Sequence, residues 1–197
     1  MADPTYAVRK FGADAAMLYV GTTPLGPSIG GYTHDPGAQW RVVEADGVTT
    51  EWTGMQRVTG YDTHLRGRLK DITSLVLGYL MPGSESDGSN GSQGGNQVIP
   101  TTARVFFTES DLIKDVRLIY RTFDRATGVN AFNAIIYPLM RPENTPLSGE
   151  DSNEQIREID WKAILTFNQS PNEPPFFEVE GYDHNNFDID NYVTYVT

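Results

Sequence analysis

Apolar residues occur along this chain mostly in short blocks or in alternation with polar residues, a pattern that predicts strands. Residues 15–20 read AAMLYV, and residues 39–45 read QWRVVEA before an Asp-Gly turn dipeptide. Residues 48–60 continue with Thr, Val and Trp, which favour extended structure. We therefore expect the first third of the chain to form short strands joined by turns.

Residues 63–70, THLRGRLK, show the clearest alternation. In a strand, Leu65, Gly67 and Leu69 would lie on one face. The opposite face would carry the four basic side chains His64, Arg66, Arg68 and Lys70. This basic row is typical of a solvated strand face, or of contact with an acidic partner such as a second copy of this acidic chain. It is too small to indicate DNA binding.

One helix and one long loop interrupt the strands. Asp71 can cap a helix over ITSLVLGYL, which Pro82 and Gly83 would end. Residues 82–97, PGSESDGSNGSQGGNQ, contain no apolar residue and predict a flexible loop. Ser84, Asp87, Asn90 and Gly95 are the polar and glycine residues that we take as representative of this loop.

Strands resume after the loop, at 102–108, 116–123 and 129–140, and the last two form a predicted hairpin. A polar loop is expected at 147–154. Residues 158–167 alternate again, so that Glu158 and Asp160 face away from Ile159 and Trp161. Residues 171–197 form an acidic C-terminal extension. Its run at 183–192 lacks the ligand spacing of an EF-hand and predicts a solvated tail.

Composition bounds the fold and the partners. The chain has 197 residues, 19 glycines and 12 prolines, and its aromatic residues are common, which favours one mainly β (α+β) domain over 1–197. It has no cysteine, which excludes a disulfide scaffold, and its formal charge is −11. The acidic balance argues against nucleic-acid binding, which needs a basic excess. Without a signal-like run or a span of about twenty apolar residues, we expect a soluble protein made in a cytoplasm and no membrane partner.

The candidate chemistry is weak. The stretch 20–31, VGTTPLGPSIGG, has Walker A spacing, but Pro27 occupies the lysine position and removes both a cation and an N–H donor. Its glycines instead predict a turn. His34, His64 and His184 lack the spacing of a helical zinc site. We expect no enzyme activity, no metal and no cofactor, and we expect Trp40, Trp52 and Trp161 to lie in the core.

The order of the segments is more informative than any one of them. It resembles the major tail proteins, or tail tube proteins, of long-tailed bacteriophages over about 15–170. The segments that carry the resemblance are, in order, LYVGTTPLG, GGY, the Asp-Gly turn, TGYDTHLRGRLKDITSLVLGYL, ARVFF, LIKDVRLIYRTFD and EIDWKAILTF.

The resemblance implies a β-sandwich or half-barrel with one flanking short helix and long loops. It implies a structural virion protein that forms homohexameric rings, which stack into a tube for genome ejection. Its partners would be further copies of itself and tail proteins such as the tape measure and the tail terminator. Genomic DNA would pass through without specific binding. The protein would lie in the virion tail, and in the host cytoplasm during assembly.

Three sets of residues receive roles on this reading. His64, Arg66, Arg68 and Lys70 would lie at the subunit interface, and Glu158 and Asp160 would face the lumen. The loop 82–97 would order against an adjacent ring.

Other functions remain open from the sequence. A tail terminator, a distal tail protein and the tube protein of a contractile injection system share the implied fold. A carbohydrate-binding β-sandwich would suit the Trp and Tyr content, but it needs aromatic side chains clustered on an exposed face.

Overall fold

The computed structural model is mainly β, as the sequence predicted, and its sheets are antiparallel. It describes residues 10–12, 16–26, 28–42, 56–69, 79, 84–87, 97–100, 112–124, 129–144, 147–148, 156–166, 169–170 and 173–192. These contain the strands β1 (Lys10–Gly12), β2 (Met17–Val20), β3 (Thr23–Pro24), β4 (Ser28–Asp35), β5 (Ala38–Val42), β6 (Gln56–Tyr61), β7 (His64–Leu69), β8 (Ser84–Asp87), β9 (Gln97–Pro100), β10 (Ile113–Asp124), β11 (Val129–Asn144), β12 (Leu147–Ser148), β13 (Ile156–Ala163) and β14 (Phe177–Glu180). A 3-10 helix spans Ile189–Asn191.

Ten strands form one antiparallel sheet with the order β3-β2-β10-β11-β13-β7-β4. The remaining three strands add to this path: β1 pairs with β10, β12 with β13, and β14 with β11. Two hairpins stand apart from the large sheet, β5–β6 and β8–β9.

The middle of the long hairpin β10–β11 is buried on both faces, and residues 134–140 of β11 are accordingly all apolar or aromatic. Val116 and Leu118 point into a first core with side chains from β2, β7, β11 and β13. Ala134 and Ile136 point the other way, into a second core. The second core is completed by residues of the C-terminal segment, among them Tyr182, Phe187 and Ile189.

The C-terminal segment therefore differs from the solvated tail that the sequence predicted. Asp183, Asp188 and Asp190 are exposed, as a solvated run requires. Between them, however, Tyr182 and Ile189 are buried against the sheet. The prediction is wrong for the described residues because carboxylates and apolar side chains alternate here, so one side of the segment can be buried while the other is hydrated.

The predicted turn after β2 is confirmed. Gly21 and Gly26 have φ values of 57° and 89°, a region that glycine adopts without strain. Gly30 and Gly31 also have positive φ, where the register between β4 and β7 shifts. The stretch is a hairpin and a bulged strand, and its glycines provide backbone shape.

The predicted loop at 82–97 is wrong at its ends. Ser84 and Asp87 bound β8, which pairs with β9. A hairpin ladder needs only backbone donors and acceptors, so a segment without apolar side chains can still pair. Asn90 and Gly95 lie outside the described residues. Similarly, Leu147–Ser148 of the predicted polar loop forms β12.

The predicted helix lies mostly outside the described residues, including Asp71. Tyr79 is helical and packs against the first core. No helix in the described ranges is long and apolar enough to cross a membrane. The predicted strand at 102–108 also falls outside these ranges.

Candidate functional site

A surface with many ion pairs covers the outer side of β7 and β13, and we call it the charged face. It contains four lysine or arginine side chains, five carboxylates and one histidine, namely Arg66, Arg68, Arg141, Lys162, Asp35, Asp62, Glu143, Glu158, Asp160 and His64. With a neutral histidine its charges nearly balance, whereas the whole chain carries −11.

The alternation of β7 and β13 creates this face. Leu65, Leu69, Ile159 and Trp161 are buried in the first core, as the sequence predicted. Each intervening residue therefore points outward. The two strands pair in a register that sets Arg68 opposite Glu158, Arg66 opposite Asp160, and His64 opposite Lys162.

Gly67 permits a close contact on the buried side of β7. A Cβ at this position would meet Tyr32 Cδ1 at 2.4 Å, since the Tyr32 ring lies across the strand from it. The ring of Tyr32 thus packs directly on the backbone of β7, and the outward side chains of β7 are held on a rigid strand.

Asp160 lies at the centre of the charged face. His64 Nδ1 lies 2.7 Å from Asp160 Oδ1 and must donate, because an ionised carboxylate only accepts. Arg66 Nε donates to the other oxygen at 3.2 Å. Burial by itself raises the pKa of Asp160, but the hydrogen bonds and charges of His64 and Arg66 outweigh it, so the pKa is lowered from its ordinary value.

The neighbouring charges are also paired within the chain. Arg68 Nε donates to Glu158 Oε1 at 3.0 Å, and Arg66 Nη1 lies 3.6 Å from Asp35 Oδ2. Lys162 Nζ lies 2.5 Å from Asp62 Oδ1, and its hydrogen bond is the main reason that the pKa of Asp62 is lowered. Exposed pairs of this kind contribute only about 0–1 kcal/mol each. Their effect is mainly to neutralise the face.

A shallow depression of about 340 Å³ borders the charged face. Its polar lining includes Arg141, Lys162 and Glu173, and its apolar lining includes Ile164 and Pro175. Arg141 also forms an ion pair with Glu143. The depression can admit a side chain or solvent, but the nearby charges are already paired.

The structure brings together two sets of residues for which the sequence predicted different surfaces. His64, Arg66 and Arg68 were predicted to meet a neighbouring subunit, while Glu158 and Asp160 were predicted to face a lumen. All five lie on one face, where Asp160 binds His64 and Arg66, and Glu158 binds Arg68. Lys70 lies outside the described residues. Whether the face contacts a second copy stays a prediction.

Sequence reasoning missed a buried ion pair beneath the C-terminal segment. Arg117 is only 4% exposed, although it lies in a strand between apolar residues. Its guanidinium forms two hydrogen bonds with the Asp115 carboxylate, one of them 2.7 Å long. It donates another to the Tyr182 hydroxyl at 2.9 Å and lies 4.9 Å from the ring centroid of Phe187.

Asp115 shapes the same cluster through its backbone. Its φ of 55° is unusual for a residue other than glycine, and its carbonyl accepts a hydrogen bond from Gly21 N at 2.8 Å. In the sequence, the feature that could have indicated this cluster is the spacing of Asp115 and Arg117 at i and i+2, which places both side chains on one face of a strand. The cluster joins β10 to the C-terminal segment, so it is structural.

The three tryptophans differ in placement. Trp161 is fully buried, which confirms the prediction. Trp40 is 63% exposed, so its predicted burial is wrong. It lies on the β5–β6 hairpin, which has no second layer among the described strands to cover it. Trp52 lies outside the described residues.

The described residues hold no group of three or more acidic or histidine side chains that could bind a metal ion. Comparison of the chain with protein-family models and with curated protein sequences gave no match.

Proposed function

We propose that this protein is a tail tube protein of a long-tailed bacteriophage. Copies of the chain assemble into hexameric rings, and the rings stack into a conduit for the genome. The protein has no catalytic role and needs no cofactor. Its partners are other copies of itself and tail proteins such as the tape measure and the terminator.

The order of the segments carries this proposal, since it resembles that of tail tube proteins from β2 to β13. The mainly β, antiparallel fold is compatible with the sandwich or half-barrel that such a subunit needs. Among the described strands, β3 and β4 each end the sheet order and pair on one side only. Such edges are available to pair with a neighbouring subunit, and closure into a ring removes them.

The charged face gives the proposal a more specific form. One face cannot be both the seam between subunits and the wall of the lumen, so we assign it to the lumen. Its arginines already have carboxylate partners within the chain, as with Arg68 and Glu158. Paired cations have little capacity to bind phosphate, and a conduit must not retain the DNA that it carries. The near balance of charge serves that purpose.

Negative-stain electron microscopy of the purified protein tests the proposal. We expect tubes of stacked rings, at high concentration or after seeding with a tail initiation complex. Single small particles under both conditions would contradict it.

A charge swap distinguishes a lumen wall from a seam. Arg68→Glu alone places two carboxylates opposite each other on β7 and β13, which destabilises the subunit itself. Arg68→Glu with Glu158→Arg restores the pair in reverse. If the face lines the lumen, the double variant assembles like the wild type. If the face is a seam, the double variant folds but does not assemble, because both charges now meet the wrong partner.

The other tail components named above remain the alternatives, and they differ in the assembly that they form. A terminator or a distal tail protein would give isolated rings and no tubes in the same micrographs. A sugar-binding module would give neither. Trp40 is exposed, but Trp161 is buried, so these two do not form a shared aromatic platform.

A further inference from the structure

The hairpin β5–β6, here called the ribbon, continues the chain from β4 and leads back into β7, and it forms a two-stranded sheet of its own. Two-residue connections join β4 to β5 and β6 to β7. Its strands make no substantial contact with any other described strand. A two-stranded hairpin is marginally stable by itself. The exposed side chains of such an element form a surface on which another molecule can pack.

The base of the ribbon is fixed. Asp62 N donates to Gly37 O at 2.8 Å, and Thr63 Oγ1 donates to Pro36 O at 2.8 Å. Gly37 has a φ of 54°, and a Cβ there would lie 2.0 Å from Asp62 O. The two connecting segments at the base of the ribbon are therefore in direct backbone contact, which fixes the direction of the ribbon.

The ribbon is covered unevenly by the described residues: Tyr61 is partly buried and lines the depression beside the charged face, whereas most positions farther along the ribbon are exposed. One face presents Trp40, which pairs across the strands with Val58. The next position presents Arg41 directly opposite Arg57, and both are exposed. Like charges directly opposite each other destabilise a strand pair. No carboxylate of the described residues forms an ion pair with either arginine.

We propose that Arg41 and Arg57 bind an acidic surface on a second copy of this chain, the turn at 183–190. This inference rests on the proposed self-association and names one of its contacts. The carboxylates of that turn, Asp183, Asp188 and Asp190, are exposed and form no ion pair with a described lysine or arginine.

Charge complementarity favours this partner over nucleic acid. The chain as a whole carries −11, so long-range repulsion opposes both partners, but it is stronger against DNA, which carries about one charge per 1.7 Å, than against a second copy whose acidic turn attracts the two arginines locally. Tyr192, close to the turn, is 60% exposed and adds apolar surface. The ribbon and the turn are different surfaces, so the contact is head to tail and can repeat from copy to copy.

The experiment measures self-association by analytical ultracentrifugation. We expect Arg41→Glu with Arg57→Glu to weaken it by about tenfold or more, since like charges then face each other. Arg41→Lys with Arg57→Lys keeps the charge and should retain most of the association. Raising the salt concentration should weaken the wild type more than the glutamate variant.

Charge changes in the acidic turn, combined with the changes in the ribbon, provide the most specific test. Asp183→Asn and Asp188→Asn remove charge and keep the acceptors for the backbone N–H groups of Asn185 and Asp190, although Asp183→Asn loses the hydrogen bond from Asn186 Nδ2. Asp190→Lys reverses the third charge. We expect this triple variant to associate poorly alone. Mixed with the arginine-to-glutamate variant, it should associate, because each altered surface then meets a complementary one.

Three results would overturn the inference. In the first, the glutamate variant folds normally by circular dichroism and associates as strongly as the wild type. This result would refute the ribbon contact but not the proposed function. In another, the mixture does not recover. In the third, retention on single-stranded DNA, rather than self-association, depends on Arg41 and Arg57. Wild-type protein that never associates would instead refute the proposed function as well.

Discussion

Replacement of Arg117 by methionine tests how the C-terminal segment is attached. The substitution keeps the length and apolar stem of the side chain but removes the guanidinium. Asp115, whose side chain is 15% exposed in the intact protein, then loses its charged partner. The hydroxyl of Tyr182 also loses its donor.

The expected cost is large for a single residue. Removal of one partner from a buried ion pair destabilises a protein by about 3–5 kcal/mol, because it leaves an uncompensated charge. A domain of ordinary stability has only about 5–15 kcal/mol in total. Arg117→Met should therefore lower the urea midpoint strongly with little change in the denaturant slope.

Asp115→Asn combined with Arg117→Met separates the unpaired charge from the lost contacts. Asparagine tolerates the left-handed backbone of position 115, where φ is 55°. The double variant should therefore be more stable than Arg117→Met alone, by about 1–2 kcal/mol or more.

The control is Arg141→Met, which removes a partly exposed arginine that is also paired with a carboxylate. Its cost should stay below about 1 kcal/mol. Urea unfolding followed by circular dichroism measures all three variants. The reasoning is refuted if Arg117→Met costs no more than Arg141→Met, or if the double variant is no more stable than Arg117→Met.

Three further predictions concern the core and the charged face. Gly67→Ala should cost about 1–3 kcal/mol in urea unfolding, since the new methyl group overlaps the ring of Tyr32, and Tyr32→Leu in the same chain should relieve part of that cost. Trp161→Ala should cost about 3–5 kcal/mol by the same assay because it leaves a cavity in the first core; a loss below 1 kcal/mol would contradict its full burial. The pKa of Asp160 is lowered in the folded protein, so its stabilising effect is present above its unfolded pKa of about 3.9 and is lost as the pH falls through the folded value. Asp160→Asn should therefore flatten the acid limb of the stability curve below about pH 4, and an unchanged limb would contradict the ion-pair geometry.

The sequence was most informative where one periodic pattern decided the outcome. Alternation in β7 and β13 placed Leu65 and Trp161 inside and Arg66 and Asp160 outside, since a strand has only two faces. The hairpin β10–β11 followed from two apolar runs around a turn. These features depend on neighbours along the chain, so a pattern can reveal them.

The pairing of distant segments was beyond such reasoning. Glu158 and Arg68 are far apart in sequence and face each other only because β13 pairs with β7 in one register. An arginine in a strand is expected to be solvated, but Arg117 is buried because the C-terminal segment covers it. The sequence around Trp40 predicts a core residue, but Trp40 is exposed because no other described strand packs over β5. In each case the decisive fact is which strand lies next to which.

Electron microscopy of the wild-type protein, seeded and unseeded, addresses self-assembly most directly. We predict stacked rings with six-fold symmetry in end views and hollow tubes in side views. A protein that remains monomeric at high concentration, even with a tail initiation complex present, would contradict the proposed function as a tube subunit.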